Sequence, residues 1–147
     1  MKNADKYFKI GTLALLIIAS VSCKKDKGTD LSNDLLVGTW KMTERIEDEA
    51  STMDNCAKSN IFKFNADGTV QSQDWIDDGT GGCKDATPSS INIKWAKTGE
   101  NKYKYIMSFG GQSEELAFTT QFSESNNKVI ITESDEDGVA HITFIRQ

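Results

Sequence analysis

His141 is the single histidine of the 147-residue chain, so any hydrolytic machinery would have to be built around it. A nucleophilic serine needs a base beside it and a third group to orient that base. His141 stands in a run with Ala140, Ile142 and Thr143, and no Gly-x-Ser-x-Gly elbow occurs anywhere. It reads as a surface or half-buried strand residue. A histidine-rich metal centre and a paired-histidine mechanism are excluded by the same count. Cys56 and Cys83 would act as nucleophiles only as unpaired thiolates, and cysteine usage, taken up below, disfavours that state. Two acidic runs, residues 74–79 (DWIDDG) and 133–138 (ESDEDG), offer the oxygen atoms that calcium takes. Neither has the spaced pattern of an EF-hand loop, and both fall in turn-prone sequence, so solvated loop charge is expected. No pair of carboxylates is singled out for glycoside hydrolysis. The stretch Gly79-Thr80-Gly81-Gly82 lacks the Gly-Lys-Ser/Thr end of a phosphate loop and reads as flexible chain. No catalytic residue, metal ligand or cofactor is assigned, and the expectation is a protein that is not an enzyme.

The balance of charge narrows the partners. Seventeen basic residues against 22 acidic ones give a net charge of -5, which disfavours nucleic acid because phosphate binding needs a basic face. Three of the lysines, Lys2, Lys6 and Lys9, precede an apolar run over residues 10–21 (IGTLALLIIASV). That run is well short of the ~20 residues a spanning helix requires. A basic start, a short apolar middle and small residues at the end are the marks of an export signal. The end, Ser20-Val21-Ser22-Cys23, resembles the lipobox of bacterial lipoproteins, although Ser20 stands where the commonest lipobox has Leu. With Lys24-Lys25-Asp26 it is similar to lipoproteins of the Bacteroidetes group. The resemblance implies a signal peptide over residues 1–22, an acylated Cys23, and a polar tether over residues 23–33. The remaining chain would carry 14 basic and 21 acidic residues, a charge of -7. Its hold on an anionic bilayer would therefore come from acyl chains, at about 0.8 kcal/mol per buried methylene. The outer membrane of the cell envelope is the expected address, with periplasmic and outward-facing orientations both open.

Cysteine arithmetic agrees with export. Three cysteines leave a spare thiol, and assigning Cys23 to lipid leaves Cys56 and Cys83 as an even pair in an oxidising compartment. Their disulfide would close a loop of about 27 residues, worth roughly 3.5 kcal/mol in the chain-entropy picture. Metal binding by two cysteines and one distant histidine has no Cys-x-x-Cys spacing behind it.

The elements that must position any site are strands. From Leu35 onward apolar residues recur mainly with period two. Trp40 and Met42 open the series, and Phe62 with Phe64 forms the second run. Val70 begins a third run ending near Trp75-Ile76, and Ile91, Ile93 and Trp95 make a fourth. Tyr103, Tyr105, Met107 and Phe109 alternate next, then Leu116, Phe118 and Phe122 with Thr120. Residues 129–131 and 139–145 close the chain. Hairpin chemistry separates the runs, most clearly Asn65-Ala66-Asp67-Gly68, where Gly supplies a positive φ. Only residues 30–36 suit a helical turn. Short connections let consecutive strands pair as neighbours. Closing eight of them removes both open edges, so an all-β, eight-stranded antiparallel up-and-down β-barrel over residues 34–147 is predicted, a two-sheet sandwich being the alternative.

Leu36-Val37-Gly38-Thr39-Trp40 resembles the Gly-x-Trp opening of lipocalins, and residues 62–69 (FKFNADGT) are similar to the second hairpin of bacterial lipocalin-like domains. Cysteines placed like Cys56 and Cys83, and a closing strand like residues 142–146 (ITFIR), belong to the same set. The resemblance covers about residues 34–147. It implies that Arg146 packs across Trp40, a guanidinium over an indole worth about 0.5–2 kcal/mol. The export signal, the eight-strand pattern and the lack of a catalytic constellation together lead to the expectation of a monomeric binding protein whose barrel receives a small apolar or amphipathic molecule. The face bearing Phe62, Phe64, Ile93, Trp95, Tyr103, Tyr105, Phe118 and Phe122 is the candidate lining. Those rings could equally plug an eight-stranded barrel. A filled barrel would point instead to a scaffold binding protein or glycan through exposed loops, Trp75 among them.

Overall fold

A computed structural model describes residues 30–135 and 138–147. The expected export signal, Cys23 and most of the expected tether lie outside the described residues. The strands are β1 (Gly38–Glu47), β2 (Ala50–Ser51), β3 (Ile61–Phe64), β4 (Thr69–Gln73), β5 (Trp75–Asp77), β6 (Cys83–Asp85), β7 (Asn92–Gly99), β8 (Lys102–Phe109), β9 (Gln112–Ser123), β10 (Lys128–Ser134) and β11 (Val139–Arg146). Eight of them form one antiparallel sheet in the order β1-β3-β4-β7-β8-β9-β10-β11, and β11 pairs back onto β1. The predicted eight-stranded up-and-down barrel is the fold. β2 is a short addition beside β1, and β5 and β6 make a separate hairpin.

Two elements differ from the sequence reading. The third apolar run does not continue to Ile76. After Gln73 the backbone is drawn off the barrel: Asp74 N donates to Thr87 Oγ1 at 3.0 Å, Trp75 N donates to Asn60 Oδ1 at 2.6 Å, and Ala86 N donates to Asp74 O at 2.8 Å. β4 consequently meets β7 through only two residue pairs, Thr69 with Lys94 and Val70 with Ile93. The β5–β6 hairpin is then held by the Cys56–Cys83 disulfide, with Cα atoms 5.5 Å apart. The second difference is β9, which begins four residues before Leu116. Gly110 and Gly111, at φ +58° and +83°, make a two-residue turn that pairs Phe109 with Gln112, and two consecutive positive φ values are what such a tight hairpin demands. Residues 30–36 form hydrogen-bonded turns, Asp34 N donating to Leu31 O at 2.9 Å, without becoming a helix.

One end of the barrel is packed solid. Leu36, Trp40, Phe64 and Trp95 are fully buried there, with Phe64 edge-on to Trp95 at 5.8 Å. Both indole N–H groups are satisfied by carbonyls, Trp40 donating to Leu36 at 2.8 Å and Trp95 to Asn65 at 3.0 Å. The Arg146 guanidinium lies 4.1 Å from the Trp40 ring centroid and donates to the carbonyls of Val37 (2.9 Å), Leu35 (2.6 Å) and Asn126 (3.2 Å). The Gly of the Gly-x-Trp motif has a physical cause here. Gly38 sits at φ +142°, and a Cβ would collide with Arg146 Nη1. Asp34 completes this end, accepting from Tyr103 Oη at 2.9 Å, Lys97 Nζ at 2.7 Å and Leu36 N at 2.9 Å.

Candidate functional site

The opposite end is hollow. Alternation along β1, β3, β4, β7, β8 and β11 turns Met42, Phe62, Val70, Ile93, Met107 and Phe144 toward a cavity of about 230 Å³. Tyr105, Leu116 and Ile142 complete its apolar wall. Tyr105 stacks on Phe118 at a centroid distance of 4.2 Å and on Phe64 at 6.2 Å, so rings form the floor between the cavity and the packed end. The eight residues read as a lining are therefore divided by depth. Phe62, Ile93 and Tyr105 line the cavity, Phe64, Trp95, Tyr103 and Phe118 are buried beneath it, and Phe122 is half-buried against Trp40 at 6.2 Å.

Two charged residues at the rim were not singled out by sequence. Arg45 and Glu133 line both the apolar cavity and a second recess of about 170 Å³ above it. Glu133 belongs to the alternation Val129, Ile131, Glu133 and so faces inward. The expectation of solvated loop charge over residues 133–138 fails at its first residue, because β10 continues to Ser134. Arg45 faces inward for a subtler reason. Met42 pairs with Phe144, Glu44 with Thr143 and Arg45 with Ile142, so Thr43 is an extra residue that reverses the parity of β1. Without that bulge Glu44 would occupy the inward position. Parity alone could have found Glu133, whereas Arg45 required the register.

The rim is electronegative. Arg45 Nε donates to Glu47 Oε1 at 2.6 Å, and Asp48, Glu133 and Asp135 share the recess. Glu133 makes no hydrogen bond or ion pair among the described residues. Burial holds its carboxyl above the usual carboxylate range, opposed by Arg45 and reinforced by Asp135 and Glu47. Burial, reinforced by the Glu133 charge, likewise pushes the Tyr105 phenol far above its ordinary range, so it stays protonated. The cavity and the recess contain no serine, cysteine or histidine among their described residues. His141 is exposed, its Nδ1 3.0 Å from Thr132 Oγ1. Trp75 is half-buried rather than freely exposed, and Ile76 is the large apolar residue that its hairpin exposes. Among the described residues no group of three His, Cys, Asp or Glu side chains is arranged to hold a metal ion. The arrangement suits binding of a small molecule with an apolar body and one polar end.

The description "Lipocalin-like domain" matches residues 36–145. No curated protein matches the chain. Among solved structures, a point mutant of the fluorescent protein UnaG is similar at 14% identity, covering 77% of this chain and 96% of its own, with a TM-score of 0.41. The wild-type UnaG structure is similar at 14% identity over 76% and 96% of the two chains, with a TM-score of 0.40.

Proposed function

The chain belongs to the lipocalin-like domain family, and from that premise we propose that it is a non-catalytic, lipid-anchored protein of the bacterial cell envelope that binds a small amphipathic molecule at the mouth of its barrel. The observation that carries the reading is the apolar cavity of about 230 Å³ in a barrel whose other end is packed. An apolar cavity of roughly 150 Å³ is enough for benzene, and sites for drug-sized ligands run from about 300 Å³. The guest is accordingly small, a ring or a short acyl chain, with its polar end at Arg45 and Glu133. Export and anchoring rest on the signal-like residues 1–22 and on Cys23, and the likeness to Bacteroidetes lipoproteins supports an outer-membrane address.

Titration with an environment-sensitive naphthylamine dye tests the pocket. Ile93→Trp and Met107→Trp would fill the cavity, and each is expected to weaken dye binding at least tenfold while the protein stays folded. Undiminished binding by both filled variants would remove the cavity as the site. For the anchor, metabolic labelling with an alkyne fatty acid should mark the wild type and not Cys23→Ser, whose appearance in the membrane fraction with label intact would refute acylation at that residue.

A further inference from the structure

We infer that the guest is a small organic amine whose apolar body fills the cavity and whose ammonium group pairs with Glu133. The inference rests on the pocket reading above and adds the chemical class of the ligand. Among the described residues, four carboxylates, Glu47, Asp48, Glu133 and Asp135, stand around the upper recess against one guanidinium, Arg45. The cation is already engaged, because Arg45 Nε donates to Glu47 at 2.6 Å. Glu133 is the rim carboxylate that also lines the apolar cavity. It is half-buried and without a hydrogen-bonding partner among the described residues.

An ionised carboxylate is acceptor-only, and an ammonium supplies up to three donors in charge-assisted bonds stronger than neutral ones. The partly desolvated carboxylate at the junction of a wet recess and a dry cavity is placed where an alkylammonium carries its charge, one or two bonds beyond its apolar body. Tyr105 and Phe62 add ring faces on which a cation gains further attraction. An anionic guest meets the opposite situation. It would pass Asp48 and Asp135 and compete with Glu47 for Arg45. The net charge of -5 favours approach of a cation over an anion as well.

Three probes with the same ring and different heads separate the possibilities: 2-phenylethylamine, 2-phenylethanol and 3-phenylpropanoate, each displacing the naphthylamine dye at neutral pH. The amine should bind at least about tenfold tighter than the alcohol, ~1.4 kcal/mol, and the carboxylate weakest. Glu133→Gln should bring the amine down to the level of the alcohol. Raising the salt to about 0.5 M should reduce the amine's advantage in the wild type without touching the protein sequence, which keeps the test valid if the variant folds poorly. Equal binding of amine and alcohol, a carboxylate that binds tightest, or an amine preference that survives both Glu133→Gln and salt would overturn the assignment while leaving the pocket in place. Failure of the dye and all three probes would take the pocket reading down with it.

Discussion

Glu133 and Arg146 show how differently two charged side chains can contribute to one barrel. The Glu133 carboxyl is held up chiefly by burial, so the folded state keeps its proton to higher pH than the unfolded chain does. The sign follows by linkage: its contribution to stability is fully present below the usual carboxylate range and is lost as pH rises through the raised value. Glu133→Gln is therefore expected to be more stable than the wild type at neutral pH, with the difference closing on acidification. Urea midpoints across pH 4 to 8 (roughly the span over which a raised carboxyl titrates) check this, and a variant less stable at neutral pH contradicts it. Arg146 is the reverse case, a cation with its partners in place. Arg146→Ala removes the indole contact and leaves three carbonyl acceptors without their donor, and should cost about 2–4 kcal/mol in chemical unfolding. Arg146→Lys should recover less than half, since an ammonium cannot reproduce the planar fork. A loss below about 1 kcal/mol for the alanine variant would show the packing to be incidental. The pairing of Trp40 with Arg146 was legible only through family resemblance, because 106 positions separate them and nothing local links them. Glu133 was hidden by its acidic neighbours, and Arg45 by a bulge that alternation cannot reveal.

At the scale of elements, period-two alternation located the eight barrel strands because each has one face on the core and one toward water. It failed where hydrogen bonds outside the ladder decide the path. Trp75 and Ile76 look like the continuation of β4, but Asn60 and Thr87 capture the backbone between them and Gln73. The resulting β5–β6 hairpin pairs through only three residue positions and has no large apolar face of its own. Its docking is left to Asn60, Thr87 and the disulfide. Replacing Cys56 and Cys83 together by serine should lower stability by roughly 3 kcal/mol. It should also raise amide exchange across residues 74–85 far more than in β9, β10 and β11, whose ladders are long. Uniform acceleration across the whole barrel would mean that the hairpin is integral to the sheet rather than pinned to it.

The molecule as a whole has two unlike ends, and which residues share one is not legible in the residue pattern, since alternation is the same read from either end of a strand. Asp30, the first described residue, lies at the packed end with Gly68 and Trp95, whereas Glu133 and Asp135 mark the mouth. If Cys23 carries the acyl anchor, seven residue steps join it to Asp30, a reach of at most about 25 Å at 3.3–3.6 Å per residue. The ten residues of β1 span roughly 33 Å along a strand, or about 25 Å of barrel height at a tilt near 40°. On that reading the leash, attached below the floor of rings, matches the barrel height only at full stretch, so the proposed anchoring favours a mouth turned away from the membrane. A donor fluorophore introduced as an unnatural amino acid at exposed Ala66, on the packed end, or at exposed Ser134, paired with the recess-lining Val139, distinguishes the two orientations. In vesicles carrying acceptor-labelled headgroups, the acylated protein should transfer more energy from position 66 than from position 134. Stronger transfer from 134 would place the cavity against the bilayer and make the lipid surface itself the source of the guest. With transfer from 66 the stronger, the guest reaches the cavity from the aqueous side, where an electronegative rim draws in cations before the apolar wall selects among them.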